Sequence, residues 1–157
     1  MKQAYFPMFV DISRKRILIV GGGKIAARRA AVISQFASDI VMIAPDFCEQ
    51  SKMLESGHAV RLICRSYEES DLEQADIVIT ATDNHELNAA IGRCCKEKKI
   101  LVNVADDQSL CDFYFPGIVI EEDIVIGISS GGKEPSKVKK VREIFVKAFH
   151  KGAIPGA

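Results

Sequence analysis

No Cys-x-x-Cys pair occurs among the five cysteines, Cys48, Cys64, Cys94, Cys95 and Cys111, and the three histidines, His58, His85 and His150, are scattered. Without clustered ligands no metal site is expected, zinc included. The neighbours Cys94 and Cys95 fall in an apparent helix, where an ordinary disulfide is poorly placed. An odd count without framework spacing fits reduced thiols in a cytosol. A charge excess is also missing, since 21 basic residues balance 21 acidic ones. That balance argues against a general nucleic-acid binder, though a local basic patch stays open. The apolar runs fall far short of the ~20 residues that a membrane helix needs. The first ten residues carry Lys2 but no long apolar core and no clear cleavage site, so they do not read as a signal peptide. Internal repeats, long linkers and low-complexity segments are absent. The expectation is a cytoplasmic protein without a membrane or nucleic-acid partner.

What is present is a chain of 157 residues, 48% of them hydrophobic, enough for one domain of ordinary size and a short appendage. Its most informative stretch runs from Ile17 to Ala26. Ile17, Leu18, Ile19 and Val20 form an apolar run typical of a buried parallel strand. Gly21, Gly23 and Ala26 then fill a G-x-G-x-x-A frame, with Gly22 inside it, and good helix formers follow. Strand, glycine turn and helix in this order make the dinucleotide-binding fingerprint. The first glycine allows a tight turn, the second lets backbone approach a pyrophosphate, and the small third residue lets helix and strand pack closely. The phosphates would sit on free amides at the positive end of the helix.

A second apolar strand, Ile40 to Ala44, runs into Pro45 and Asp46. Asp46 stands where an acidic residue would accept hydrogen bonds from an adenosine ribose, and a carboxylate there favours NAD over NADP. The competing reading, compatible with the first, makes Asp46 the N-cap of a helix starting at Phe47.

Further elements follow in alternation. A helix is expected over Glu49–Ser56, a strand over Ala59–Cys64, and a short turn or helix over Tyr67–Leu72. A buried strand then spans Asp76–Thr82, and Asp83 or Asn84 caps a helix over Glu86–Lys98. His85 reads as part of that helix's first turn rather than as a catalytic group. Ile100–Val104 is a fifth strand. The βαβα rhythm predicts an α/β fold, a doubly wound parallel sheet with helices on both faces. After Asp106 the rhythm changes. A strand-like run over Asp112–Ile120, a turn at Glu121–Asp123 and a partner strand over Ile124–Ile128 suggest an antiparallel hairpin extending the sheet. Ser129–Gly132 is a loop. Glu134–His150 is a basic amphipathic helix with Val138, Val141, Ile144, Phe145 and Phe149 on its apolar side, and the tail from Gly152 is expected to fray. The division is a dinucleotide-binding part over 1–112 and a hairpin-and-helix extension over 113–157.

Several segments taken together resemble the precorrin-2 dehydrogenase family, the NAD-binding module of sirohaem synthases. They are Tyr5–Asp11, Ile17–Ala26 with Arg28, Ile43–Asp46, Ala75–Asp83 with Asn88, Val102–Asp106, Cys111–Pro116 and Ile128–Lys133. The glycine frame is generic. The Asn-Val-x-Asp, Asp-Phe-x-x-Pro and Ser-Gly-Gly segments, in this order, are much more specific.

The resemblance implies a Rossmann-like fold, NAD as cofactor, and oxidation of the carboxylate-rich tetrapyrrole precorrin-2 to sirohydrochlorin, with a homodimer as the assembly. Some relatives also insert ferrous iron. The family's important carboxylate matches Asp106, as general base or as positioner of the macrocycle. A solvated loop residue or cap is the bland alternative, and Asp107 competes for the role. The same match puts Lys24 and Ile25 under the cofactor and Pro45 and Asp46 by the ribose. Thr80, Ala81, Thr82, Asp83 and Asn103 line the nicotinamide side. Ser129, Ser130, Gly131 and Gly132 come near the tetrapyrrole, or simply cap a helix. Lys133, Lys137, Lys139, Lys140 and Arg142 attract substrate carboxylates, or simply form a solvated face.

Two departures stand out. Glu134-Pro135-Ser136 replaces the family's Ser-Pro-Ala, and an acid there weakens anion binding. Members also continue for several more helices, which implies a truncated or naturally short chain here. A different class, a non-catalytic dinucleotide-sensing module, shares the glycine frame and the Ala-Thr-x-Asp strand end. The Asn-Val-x-Asp and Asp-Phe-x-x-Pro segments argue against it. A third possibility is a structural domain with no ligand.

Overall fold

The strands order themselves by burial. In the computed structural model, which describes residues 6–150, Arg16–Val20 (β1), Asp39–Ala44 (β2), Arg61–Cys64 (β3), Ile77–Thr80 (β4) and Leu101–Val104 (β5) form a parallel sheet in the order β3-β2-β1-β4-β5. Lys24–Ile33 (α1), Glu49–Ser56 (α2) and His85–Glu97 (α3) supply crossovers, and a short 3-10 helix over Glu69–Gln74 links β3 to β4. Because β1, β2 and β4 lie inside the sheet, they read as near-continuous apolar runs. Tyr5 of the first motif and the tail from Gly152 lie outside the described residues.

Side-chain alternation splits the apolar residues between two faces. Leu18, Val20, Val41, Ile43, Val78, Val102 and Val104 pack with Ile91 and Cys95 of α3 and with Leu72. Ile17, Ile19, Met42 and Ile79 are fully buried, and so are Ala26, Ala27 and Ala30 of α1. This is the doubly wound, Rossmann-like arrangement that the strand–helix rhythm predicts.

Two compact units divide the chain. One is Val10–Phe113; the other, among the described residues, joins 114–150 to 6–9. In the second, Gly117–Glu121 (β6) and Ile124–Ile128 (β7) pair antiparallel. They form a separate two-stranded sheet, which corrects the expectation of a hairpin extending the parallel sheet. Pro135–His150 (α4) packs on β6, where Arg142 Nε donates to the Ile118 carbonyl at 2.8 Å. Phe149 is buried in this unit, whereas Ile144, expected on the apolar side, is 64% exposed.

The expected strand over Asp112–Ile120 begins only at Gly117. The reason lies at β5, an edge strand whose outward amides need partners. Asp112 Oδ2 accepts from the Val102 amide at 3.0 Å, and Cys111 Sγ takes the Val104 amide at 3.2 Å. Side chains thus satisfy the edge that a sixth strand would otherwise cover. No helix among the described residues is long and apolar enough to cross a membrane.

Candidate active site

The strand register sets the site's geometry. Val20 pairs with Thr80, and Thr80 with Val104, so the loops after β1, β4 and β5 leave the sheet in one row. The ends of β1 and β5 are two strand spacings apart, about 10 Å. The strand order reverses between β1 and β4, and open α/β sheets bind ligands in the crevice at that point.

The glycines of the first loop do different work. Gly21 has φ +134°, and a Cβ on it would fall 2.4 Å from the Ala81 carbonyl oxygen. A Cβ on Gly22 would fall 1.9 Å from the Asp46 carbonyl oxygen, and the Gly22 carbonyl accepts from the Cys48 amide at 2.9 Å. Both glycines therefore let loops from adjacent strands meet. A Cβ on Gly23, by contrast, would meet nothing within 4 Å.

Gly23 is the N-cap of α1, no side chain caps that end, and the first turn holds no acid. The amides at the start of α1 thus face open space at the positive pole of the helix, with Lys24 and Ile25 exposed around them. These residues fit the diphosphate of a dinucleotide. Ala26 is fully buried, so its part is the close helix–strand packing its size allows.

Asp46 is exposed at the end of β2 beside Pro45, and its Oδ1 accepts from the Phe47 amide at 2.8 Å. It does not cap a helix: α2 begins at Glu49 with Cys48 as N-cap. Thr80 is fully buried, and its hydroxyl has no hydrogen-bond partner. Asn103 is 3% exposed; its Nδ2 donates to the Phe113 carbonyl at 2.7 Å, and its Oδ1 accepts from Arg29. In this conformation Thr80 and Asn103 support the site from beneath instead of lining it. Ala81 is buried, Thr82 half-buried and Asp83 exposed.

Asn84 caps α3, its Oδ1 accepting from the Leu87 amide at 3.0 Å. That cap fixes the first turn and turns Asn88 toward the loop after β5. Asn88 is fully buried and wholly satisfied. Its Oδ1 accepts from the Thr82 hydroxyl at 2.7 Å and the Thr82 amide at 3.3 Å. Its Nδ2 donates to the Thr82 carbonyl and to Asp106 Oδ2, both at 3.0 Å. His85 Nδ1 meets the same Asp106 oxygen. The Asp106 side chain is 22% exposed and that of His85 83%. A cleft of about 700 Å³ opens there, lined by His85, Glu86, Ala89, Ala90, Arg93, Asp106 and Asp107. Asp107 is tied down elsewhere: its Oδ1 accepts from the amide and the hydroxyl of Ser109. Those hydrogen bonds hold its carboxyl below the usual range.

Reading the residues alone missed three participants. His85 does open a helix, as expected, yet it also touches Asp106. Its spacing of three from Asn88 was the available signal, since i and i+3 share a helix face. Arg29, whose guanidinium burial pushes down from its ordinary value, and Cys111 carried no such signal. In the second unit, Ser129 Oγ accepts from the Gly131 amide and Ser130 Oγ from the Glu134 amide. Both hydroxyls serve their own loop. Lys133, Lys137, Lys139, Lys140 and Arg142 are all exposed.

Comparison with known proteins matches this architecture. A siroheme synthase of Pseudoalteromonas atlantica is 39% identical over 139 residues, 88% of this chain and 30% of the relative. One of Baumannia cicadellinicola is 34% identical over the same shares. The chain therefore spans about 30% of the length of these curated relatives. A solved structure titled SirC, precorrin-2 dehydrogenase, superposes with a TM-score of 0.73 at 25% identity, covering 91% of this chain and 70% of that one. A family profile described as "Putative NAD(P)-binding" matches residues 8–117. The chain belongs to that NAD(P)-binding family.

Proposed function

We propose that this protein oxidises precorrin-2 to sirohydrochlorin with NAD as the acceptor, one step of sirohaem synthesis. The observation that carries the reading is the pairing, on one sheet edge, of an open helix terminus at Gly23 with a positioned carboxylate at Asp106. The names of the relatives and of the structural neighbour support the same chemistry.

In this reading the amides of Gly23 to Ile25 hold the diphosphate, and Asp46 receives the ribose hydroxyls. A bound NAD supplies a hydride acceptor, chemistry that protein side chains lack. The chain's own part is to orient both reactants and to govern the proton that leaves with the hydride, which falls to the group around Asp106. Lys24, Pro45, Ala81, Thr82 and Asp83 flank the cofactor, with Thr80 and Asn103 behind them. The loop Ser129–Gly132 and the basic residues of α4 belong to the tetrapyrrole side. A cytoplasmic homodimer is the assembly and setting; the five free thiols fit that compartment.

The test is anaerobic oxidation of precorrin-2 with NAD, followed as NADH formation, against a protein-free control for autoxidation. Turnover that Asp106→Ala abolishes supports the reading. Nucleotide binding without oxidation would favour a sensing module instead.

A further inference from the structure

The bonding around Asp106 determines more than its own position. Asn88 accepts with Oδ1 from two Thr82 donors and donates with Nδ2 to the Thr82 carbonyl and Asp106 Oδ2. Reversing that amide would set donor against donor at the Thr82 amide and acceptor against acceptor at the Thr82 carbonyl and Asp106 Oδ2, so the orientation is set by the network. Asp106 Oδ2 thus has one donor already and, as a carboxylate oxygen, can only accept from its second neighbour. His85 Nδ1 must therefore carry the hydrogen. In the neutral ring this leaves the lone pair on Nε2.

The exposures then separate the two side chains. Asp106 is 22% exposed and His85 83%, so imidazole is what the pair presents to solvent. His85, Ala89 and Arg93 follow at intervals of four along one face of α3, all lining the cleft. Base, small floor and cation stand in sequence there, and the cation suits a substrate rich in carboxylates.

We propose that His85 takes the substrate proton on Nε2, and that Asp106 acts through it as a positioning residue. The inference rests on the precorrin-2 reading above. In the step, a C–H or N–H bond of the macrocycle breaks and its proton passes to Nε2. The electron pair stays in the ring system as a new double bond. The hydride leaves with its own pair to the oxidised nicotinamide, so the substrate loses one proton and one hydride, and the hydride carries both electrons. The Asp106 carboxylate stabilises the resulting imidazolium.

Two measurements on the 157-residue protein test this. Long-range ¹H–¹⁵N spectra of the nucleotide-free protein report the tautomer directly, and with three histidines the assignment is short. Neutral His85 is expected as the Nδ1–H form, a preference that Asp106→Ala removes. A dominant Nε2–H form would overturn the proposal.

In anaerobic turnover, His85→Ala is expected to lower kcat by about 10²–10⁴-fold with KM little changed. Added imidazole should restore turnover in a dose-dependent way, which a merely structural role does not predict. If His85→Ala turns over within a few-fold of the parent while Asp106→Asn is inactive, Asp106 is itself the base; the inference falls and the function stands. If the parent binds NAD but oxidises no precorrin-2, both fall together.

Discussion

Asn88 and Asp106 are joined across 18 positions by one hydrogen bond, Nδ2 to Oδ2 at 3.0 Å. The same side chain holds both polar backbone groups of Thr82, so the bond ties the loop after β4 to the loop after β5. Asn88→Ala leaves the half-buried Thr82 groups and Asp106 short of partners. The expected loss is on the order of 1–3 kcal/mol in urea unfolding. Turnover should fall through kcat, because the carboxylate loses its bearing, while the NAD dissociation constant stays within a few-fold. A large rise in that constant would show that Asn88 serves the cofactor instead.

The three glycines separate folding from binding. Gly22→Ala places a Cβ against the Asp46 carbonyl and Gly21→Ala against that of Ala81. Each variant should melt well below the parent, since backbone must move. Gly23→Asp has the opposite sign. Nothing lies near that position, and aspartate is a favoured N-cap residue at a helix's positive end. Without nucleotide the variant should match or slightly exceed the parent's stability, by roughly a few tenths of a kcal/mol. Its carboxylate would nevertheless occupy the diphosphate's place, so fluorescence titration with NADH should show binding lost. A destabilised Gly23→Asp that still binds would contradict this account of the loop.

Periodicity made the first half of the chain legible. Ile17–Val20 and Ile77–Thr80 announce buried strands because both faces are covered, and G-x-G-x-x-A marks the turn between a strand and a helix. The contacts around Asp106 were not legible, because they depend on the third dimension. His85 meets Asp106 across 21 positions, and Arg29 meets Asn103 across 74. The run Asp112–Ile120 misled for another reason. Its first residues are apolar enough for a strand, yet Asp112 and Cys111 bind the edge of β5 through side chains, which no alternation pattern encodes. Gly21 and Gly22 were legible as turn residues, but their partners, Ala81 and Asp46, were not.

Acid stability carries a signature of Asp71. Its carboxylate accepts from Arg65 Nη1 at 2.9 Å and from the Glu68 amide at 2.8 Å. Arg65, foremost, holds its pKa below the ordinary 3.8. A depressed folded-state pKa contributes stability above the unfolded value and loses it as pH falls through the folded one. Asp71→Asn should therefore cost about 1 kcal/mol at pH 7. The gap to the parent should close below pH 3.8, in the window opened by that lowering. Chemical denaturation at a series of pH values measures it; a gap independent of pH would mean that packing, not charge, sets the loss.

Thiol reactivity reads the core. Cys95 is fully buried on α3, and burial pushes its thiol up to about 12. Cys64 is exposed at the end of β3, its Sγ donating to the Pro45 carbonyl at 3.0 Å. Alkylation proceeds through the thiolate and needs access. At pH 8 iodoacetamide should label Cys64 in the folded protein and leave Cys95 untouched. Labelling of Cys95 should appear only with global unfolding, and its denaturant dependence should coincide with loss of helical circular dichroism. Cys95 modification well before that transition would mean that α3 leaves the sheet as a separate unit, and with it the Asn88 and His85 contacts to Asp106.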